Sequence, residues 1–424
     1  MKKKTIIQGH VESLAFGGDG IIKPDSQVIF VPFVAPDEEI TAEITVHKKS
    51  FARAKLIEIL QSSPHRIKPE CKYFGICGGC QLQHIDYNEQ AAIKTLFVRD
   101  ALQRIGKLPT DLLRPIIKAN SNVQWFYRRH IKLHLVNGEL GYVRHDLAGS
   151  IEIDSCLIFE NLQNPIFKDL KPFLPKLLDK IEVAIYKDNN NKYVMLFNLV
   201  KNINKNIFKN ILANISYIKG IMWKVDNSYY EIGDCNLNFS IENLAITYNP
   251  KVFIQAHPEQ SKNIYLELIN LIKNTDSSKV LDLYCGIGIT SLLLAKNNYE
   301  VLGIESNNEA ILLAQKNASH NSINNINFQT LDADNLSLKY IKEFNPECII
   351  INPPRIGLSN KIIETLLAYN AKNIFYISCM PSTLARDLKL LSTNYTINYI
   401  QTYDMFPQTT HVETLVHLVR VLNR

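Results

Sequence analysis

The class of this 424-residue chain is narrowed first by what it lacks. No run of about 18 uninterrupted apolar residues occurs, so a membrane-crossing helix is not expected. The basic start, Met1 to Lys4, leads into an apolar stretch of only two residues, Ile6 and Ile7. A secretory signal needs an apolar core of about 7–15 residues, so a cytoplasmic protein is expected. Internal repeats and long low-complexity tracts are absent. The eight cysteines are too unevenly spread to read as a disulfide framework in a reducing compartment. Residues 151–424 have no net charge, with 26 Lys+Arg against 26 Asp+Glu, whereas residues 1–150 hold 21 against 15 and so carry the entire +6. A positive excess confined to one part of a chain suits a polyanionic partner there. The 46% hydrophobic content is ample for the cores of two or three domains.

The stretch 374–387, Ile-Phe-Tyr-Ile-Ser-Cys-Met-Pro-Ser-Thr-Leu-Ala-Arg-Asp, organises the rest. A β-rich apolar run delivers Cys379 to its C-terminal end, and Pro381 then opens a helix. Ligands of open α/β sheets bind beyond the carboxyl ends of the strands, so this thiol is expected to face a crevice. Helix N-termini and nearby cations favour the thiolate. A buried, inert cysteine is the alternative.

Residues 1–61 read as a small β domain: alternating runs at 6–12, 28–34, 39–47 and 51–60 are separated by Gly17-Gly18-Asp19-Gly20 and Pro36-Asp37. Lys48, Lys49, Arg53 and Lys55 give it a basic face, as in nucleic-acid-binding barrels of the OB type. Beyond Ser62-Ser63-Pro64 lies a C-x5-C-x2-C array of Cys71, Cys77 and Cys80, with Cys156 as the obvious fourth thiol. Four-cysteine sites serve zinc and iron–sulfur clusters alike. Three bunched ligands and a remote fourth, rather than two paired hooks, favour [4Fe–4S].

A helix is expected over 82–107, with Ile85, Ala92, Leu96, Val98, Leu102 and Ile105 on its apolar face. Residues 125–135 alternate aromatic, basic and apolar side chains like a strand, and Asn137-Gly138 reads as a hairpin turn into 140–144. Arg128, Arg129 and Arg144 suit phosphates or stacked bases, a charged solvent face being the plainer alternative. Residues 160–250 carry no motif, and Asn189 to Asn191 read as a loop tip.

From residue 260 helix and strand alternate: helix 260–273, a strand running into a glycine turn over 279–289, helix 290–296, strand 300–305. This predicts a doubly wound parallel sheet. Gly286-Ile287-Gly288 permits a tight turn and close ligand approach, and Glu305, 19 residues past Gly286, suits a ribose diol. The Asp282-x-x-Cys285-Gly286-x-Gly288 sequence joined to that acidic strand end resembles the S-adenosylmethionine site of class I methyltransferases. Asp332 and Asp334 end a further strand as partners for an adenine edge. Asn352-Pro353-Pro354 ends another, followed by Arg355 rather than the aromatic residue that accompanies transfer to exocyclic amines.

Asp282-x-x-Cys-Gly-x-Gly, Asn352-Pro-Pro-Arg355, Ser378-Cys379-x-Pro381 and His411-Val-Glu413-Thr, in that order, resemble the RNA uracil-5-methyltransferase family. The first 61 residues, which resemble a TRAM domain, and the four cysteines resemble its branch acting on 23S rRNA. The resemblance implies a class I methyltransferase domain at 251–424. Before it would come a TRAM/OB-like β-barrel at 1–61 and a mixed α+β central domain at 62–250. It assigns the nucleophile to Cys379 and the base to Glu413, whose apolar neighbours are expected to raise its pKa. It places S-adenosyl-L-methionine on Gln255, Tyr284, Gly286, Glu305, Asp332 and Asn352. A [4Fe–4S] cluster falls on Cys71, Cys77, Cys80 and Cys156, and RNA beside Arg128, with Arg129 and Arg144 near. No protein partner is evident. Asn352, Met380 and Ile289 depart from the usual Asp, Asn and polar residue. The rival readings are an RNA cytosine-5-methyltransferase, whose usual Pro-Cys dipeptide is missing here, and a non-catalytic RNA-binding scaffold.

Overall fold

The turn-rich first 61 residues and the alternating last third build two of the three large sheets of the computed structural model. It describes residues 5–24, 27–120, 123–136, 139–159, 166–173, 181–188, 190–199, 205–226 and 228–421. The expected turn at Asn137-Gly138 lies outside the described residues, as does Asn189 of the expected loop tip.

The N-terminal sheet has six strands, in the order Ile6–His10, Glu39–His47, Phe51–Gln61, Val28–Val31, Gly20–Ile22, Ser13–Leu14. It curls as a half-barrel around Val11, Ile22, Ile29, Val31, Val34 and Ile40, each at most 2% exposed. Period-two alternation explains this core: in Glu39–His47 the buried positions are Ile40 and Ala42. A second sheet of seven strands runs from Ser150–Glu152 to Ser228–Gly233, with His130–Val136, Ile181–Lys187 and Tyr193–Leu199 in its middle. Ile181–Lys187 and Tyr193–Leu199 are buried at nearly every position, as strands covered on both faces are, whereas His130–Val136 alternates.

The C-terminal sheet has eight strands, in the order Ile326–Thr330, Glu300–Glu305, Lys279–Leu283, Cys348–Ile351, Asn373–Ser378, Glu413–Arg420, Tyr395–Tyr403, Leu113–Ile117. Its first five strands are parallel. Glu413–Arg420 then runs antiparallel to both its neighbours. The order reverses between Lys279–Leu283 and Cys348–Ile351, which opens a crevice at their carboxyl ends. The expected α/β fold is therefore present; the strand expected to run into the glycine turn over 279–289 ends at Leu283, and the next spans Glu300–Glu305 as expected.

Two features differ from the sequence expectation. The helix expected from residue 82 begins at Tyr87, where Asp86 caps it by accepting from Asn88 N and Glu89 N, and it passes into a wider turn at Leu102–Gly106. Leu96 and Ile105 of the expected apolar face are 44% and 43% exposed, while Lys94 is wholly buried. Moreover, this helix and Leu113–Ile117 pack on the C-terminal sheet: Ala91, Val98, Leu102 and Leu113 join one apolar cluster with Leu281, Ile349 and Ile374. The remote segment supplies the sheet's last strand, parallel to Tyr395–Tyr403.

The Phe328 ring is 4% exposed and lies under the glycine turn, where a Cβ at Gly288 would meet it at 2.5 Å and one at Gly303 at 2.6 Å. Phe328→Ala is expected to lower the unfolding free energy by about 3–5 kcal/mol. Denaturant titration checks this.

Candidate active site

Strand ends of the C-terminal sheet supply the crevice. The glycine turn follows Lys279–Leu283, with Tyr284, Gly286 and Gly288 all in the left-handed region (φ 61°, 56° and 77°). A Cβ at Gly286 would meet nothing within 4 Å, so this backbone faces open space suited to a ligand. Gly286 N donates to Glu305 Oε2 at 3.2 Å, and Asn307 N donates to Oε1 at 2.9 Å, so the carboxylate is held at the rim of the turn. Asp332 and Asp334 face Tyr284 together with Glu305, and their charges add to burial in raising the phenol's pKa to about 12. Asp332 caps a short helical turn, and Asp334 accepts from Ser359 Oγ at 2.5 Å. Beneath the turn, burial pushes Asp282 up to about 7 although Ser291 Oγ donates to it at 2.5 Å. Asn352 follows Cys348–Ile351 and is tied by its N–H to Leu283 O. Gln255 lies apart from this group, lining a cavity of about 310 Å³ with Arg129, Tyr265 and Ile289. Buried Tyr265 faces both Asp282 and Glu413, which connects that cavity to the crevice.

The predicted nucleophile and base come from adjacent antiparallel strands. Ser378 pairs with Thr414, which brings Cys379, at the end of the strand Asn373–Ser378, beside Glu413, the first residue of Glu413–Arg420. Met380 N donates to Ser378 Oγ at 3.2 Å and Pro381 starts the next helix, so the turn carrying the thiol is braced. Glu413 is 2% exposed, and burial pushes its carboxyl up to about 8 against the attraction of Arg355. The helix N-terminus does not leave Cys379 acidic: burial and the Glu413 charge raise the thiol to about 11, and the Arg355 guanidinium offsets this only in part. Arg355 also donates to His411 Nε2 at 3.4 Å, and burial together with Arg355 holds that imidazole down to about 4, hence neutral. Cys379, Glu413, Arg355 and His411 thus form one group. The sequence marked Arg355 and His411 within motifs, but it gave neither a role.

The four predicted metal-ligating cysteines, Cys71, Cys77, Cys80 and Cys156, line one small cavity of about 20 Å³ with Tyr73 and Tyr142. As the side chains stand, no group of three or more His, Cys, Asp or Glu among the described residues is arranged to hold an ion. Burial pushes Cys77 up to about 11 and Cys80 to about 12, and the Arg128 charge works against the rise at Cys80. Arg128 is half-buried, with its guanidinium 5.3 Å from the Phe406 ring. Arg129 lies 4.7 Å over Phe239, and Arg144 is paired with Asp146 at 2.9 Å. These three arginines therefore do not form one patch: the first lies between the cysteines and the catalytic loop, the second at the Gln255 cavity, and the third on the surface.

Local patterns gave no sign of the loop 404–412. Its ends, Tyr403 and Glu413, pair directly across the ladder. Lys94 Nζ donates to Asp404 Oδ1 at 2.6 Å and to Phe406 O at 2.9 Å, with Lys94 and Asp404 both at 0% exposure. Gln90 and Gln408 exchange two hydrogen bonds, at 3.0 and 3.1 Å, and Tyr127 Oη donates to Pro407 O. Gln81 N and Leu82 N, just past Cys80, both donate to Gln408 O. From the half-barrel, Phe16 sets its ring edge-on to His411, with centroids 6.4 Å apart.

A doubly wound sheet with a glycine turn, an acidic strand end and a crevice at the reversal of strand order defines a class I, S-adenosylmethionine-dependent methyltransferase. Comparison with known proteins makes this specific. Residues 198–421 match the profile of the tRNA (uracil-5-)-methyltransferase family. The chain is 41% identical over 430 residues to an uncharacterized RNA methyltransferase of Protochlamydia amoebophila, covering 98% of each. It is 31% identical to one of Bacillus cereus, covering 97% of this chain and 96% of that one. Among solved structures it resembles the Pyrococcus abyssi tRNA (uracil-54, C5)-methyltransferase in complex with S-adenosyl-L-homocysteine. That match has a TM-score of 0.79 and 26% identity, over 97% of this chain and 99% of that one. The chain belongs to the RNA uracil-5-methyltransferase family and is an S-adenosylmethionine-dependent enzyme acting on RNA. No helix among the described residues is long and apolar enough to cross a membrane.

The raised Glu413 carboxyl makes stability depend on pH. Folded, it keeps its proton up to about 8, whereas an ordinary glutamate releases it near 4.5. Between those values the folded state binds more protons, so stability falls as pH rises. Glu413→Gln removes this component. The wild type is expected to lose on the order of 1–4 kcal/mol relative to the variant between pH 5 and pH 8, measured by denaturant titration of both proteins.

Proposed function

We propose that this enzyme methylates C5 of a specific uridine in RNA, 23S rRNA by preference, through a covalent bond between Cys379 and C6 of the uracil. The observation that carries the reading is the meeting of Cys379, Glu413 and Arg355 at the ends of neighbouring strands. Uracil C5 is a poor nucleophile until a group adds at C6. Cys379 loses its proton to water and adds as the thiolate, which forms the S–C6 bond and moves the C5=C6 electron pair towards O4 as an enolate. S-adenosylmethionine, when bound, supplies a methyl group electrophilic enough for C5 to attack. Glu413, in the carboxylate form that Arg355 favours, then takes the C5 proton, and the returning electrons restore C5=C6 and expel the thiolate. Arg355 lowers the cost of negative charge at both side chains, acting against the burial that raises their pKa values. The target base has to leave its stack to reach so enclosed a pair.

In this reading Gln255, Tyr284, Gly286, Glu305, Asp332 and Asn352 hold the methyl donor, and the curved N-terminal sheet is a TRAM-like RNA-binding module. Cys71, Cys77, Cys80 and Cys156 carry a [4Fe–4S] cluster. Four thiols lining a single cavity are the soft donor set such a cluster takes, and the Arg128 charge suits its anionic character. The preference for 23S rRNA rests on the combination of that module with the four cysteines. A tRNA substrate is the second reading, favoured by the match over 97% of the chain to an enzyme named for a tRNA position.

RNA containing 5-fluorouridine tests the chemistry, because fluorine at C5 cannot leave as a proton. Wild-type enzyme with methyl donor is expected to form a denaturation-resistant protein–RNA complex that Cys379→Ala does not form. Absence of the complex on both rRNA and tRNA would sink the reading, and formation on 5-fluorocytidine RNA instead would point to cytosine. Comparing the two RNA pools decides between the substrates. Iron and sulfide content after anaerobic purification tests the cluster: about four of each per chain is expected, with loss in Cys80→Ser.

A further inference from the structure

The group that takes the proton stands at the end of a connection that is almost entirely buried. Of the nine residues 404–412, only Phe406 and His411 are even partly exposed. Loops usually run over the surface because buried backbone N–H and C=O groups need partners. Here the partners come from side chains distant in sequence, and the firmest is the ion pair of Lys94 with Asp404. Asp404 directly follows Tyr403, the residue paired with Glu413 across the ladder. The same ammonium also holds the carbonyl of Phe406, whose ring lies edge-on to His411 with centroids 5.7 Å apart. A cation and a carboxylate both fully removed from water are costly unless they are well paired and hydrogen-bonded. Apolar residues of similar volume would serve stability at least as well, so the pair calls for an explanation other than stability.

We infer that Lys94 and Asp404 are positioning residues: their buried ion pair clamps the loop 404–412 onto the Tyr87–Ala101 helix and thereby sets Glu413 in line with C5 of the uracil bound to Cys379. The inference rests on the proposed covalent mechanism and concerns one step of it, removal of the C5 proton. Cys379 is carried by a different strand, and the turn that holds it is braced by Ser378 and Pro381 rather than by the clamp. Loosening the loop therefore slows release of the methylated base while leaving formation of the S–C6 bond intact. Misplacement by an ångström or so is enough to cost one to two powers of ten.

Lys94→Met alone strands a buried carboxylate and risks unfolding, so the informative variant is Lys94→Met with Asp404→Leu, which replaces the pair by apolar volume and leaves no buried charge unpaired. Three rates are compared with wild type on the same RNA pool: turnover on ordinary uridine RNA, accumulation of covalent complex on that RNA, and formation of the dead-end complex on 5-fluorouridine RNA. The expected result is turnover down about 10–100-fold, covalent complex now accumulating on ordinary RNA, and the 5-fluorouridine rate within about threefold of wild type. Asp404→Glu, which keeps a carboxylate for Lys94, is expected to keep most of the turnover. Equal loss of turnover and of the 5-fluorouridine complex would mean a merely structural role and would overturn the inference. Unchanged turnover would overturn it as well. Failure of the wild type itself to form the 5-fluorouridine complex is a distinct outcome, which removes the covalent mechanism and this inference with it.

Discussion

The structure depends most on satisfying the polar groups of a loop that the fold has buried. Residues 404–412 lie between the N-terminal half-barrel, the cysteine-bearing segment, the Tyr87–Ala101 helix and the C-terminal sheet. Each of the first three contributes a partner: Phe16 against His411, the amides of Gln81 and Leu82 on Gln408 O, and Lys94 with Gln90 from the helix. Removing an amide or carbonyl from water without a partner costs a few kcal/mol, so these elements are held to one arrangement by hydrogen bonding as well as by apolar contact. The helix and the strand Leu113–Ile117 belong with the C-terminal sheet for the same reason.

Electrostatics in the crevice work by opposition. Burial raises both Cys379 and Glu413, and the Glu413 charge raises Cys379 further, while the Arg355 guanidinium faces both. The free enzyme thereby keeps the pair largely protonated near neutrality. Such a pair is suited to chemistry in which one member must become a nucleophile and the other must later accept a proton. His411, neutral and accepting from Arg355, fixes the guanidinium without competing for charge.

How much of this was legible in the chain follows from the range of each signal. Cys379 and Glu413 stood out because each lies in a short motif at a strand end. The cofactor crevice stood out because its glycine turn, Glu305 and the alternation of helix and strand are local patterns. The helix around Lys94 was recognisable, but its rhythm marked Leu96 and Ile105 as inward, although both are exposed, and said nothing of Lys94, which is buried. Periodicity reports which residues are apolar, and a lysine buried against a carboxylate 310 positions away violates that report for a reason no window can contain. The thiol of Cys379 was likewise expected to be acidified by its helix. Its surroundings decide otherwise, because burial and a facing carboxylate outweigh one nearby cation.

By itself, then, the sequence determined the doubly wound sheet, the strand ends that carry the chemistry, the glycine turn and the identity of the nucleophile and base candidates. The sheet and the turn are set by short-range spacing and side-chain type, and the two candidates by the resemblance of short motifs to those of the family. Only the tertiary structure decided that Lys94 meets Asp404, that Arg355 stands between thiol and carboxylate, that Arg128 lies between the four cysteines and Phe406, and that the helix and strand of residues 87–117 complete the C-terminal sheet. Those are contacts between segments tens to hundreds of residues apart. They follow from which buried polar groups can find partners once the sheets have formed, and that is a property of the folded chain as a whole.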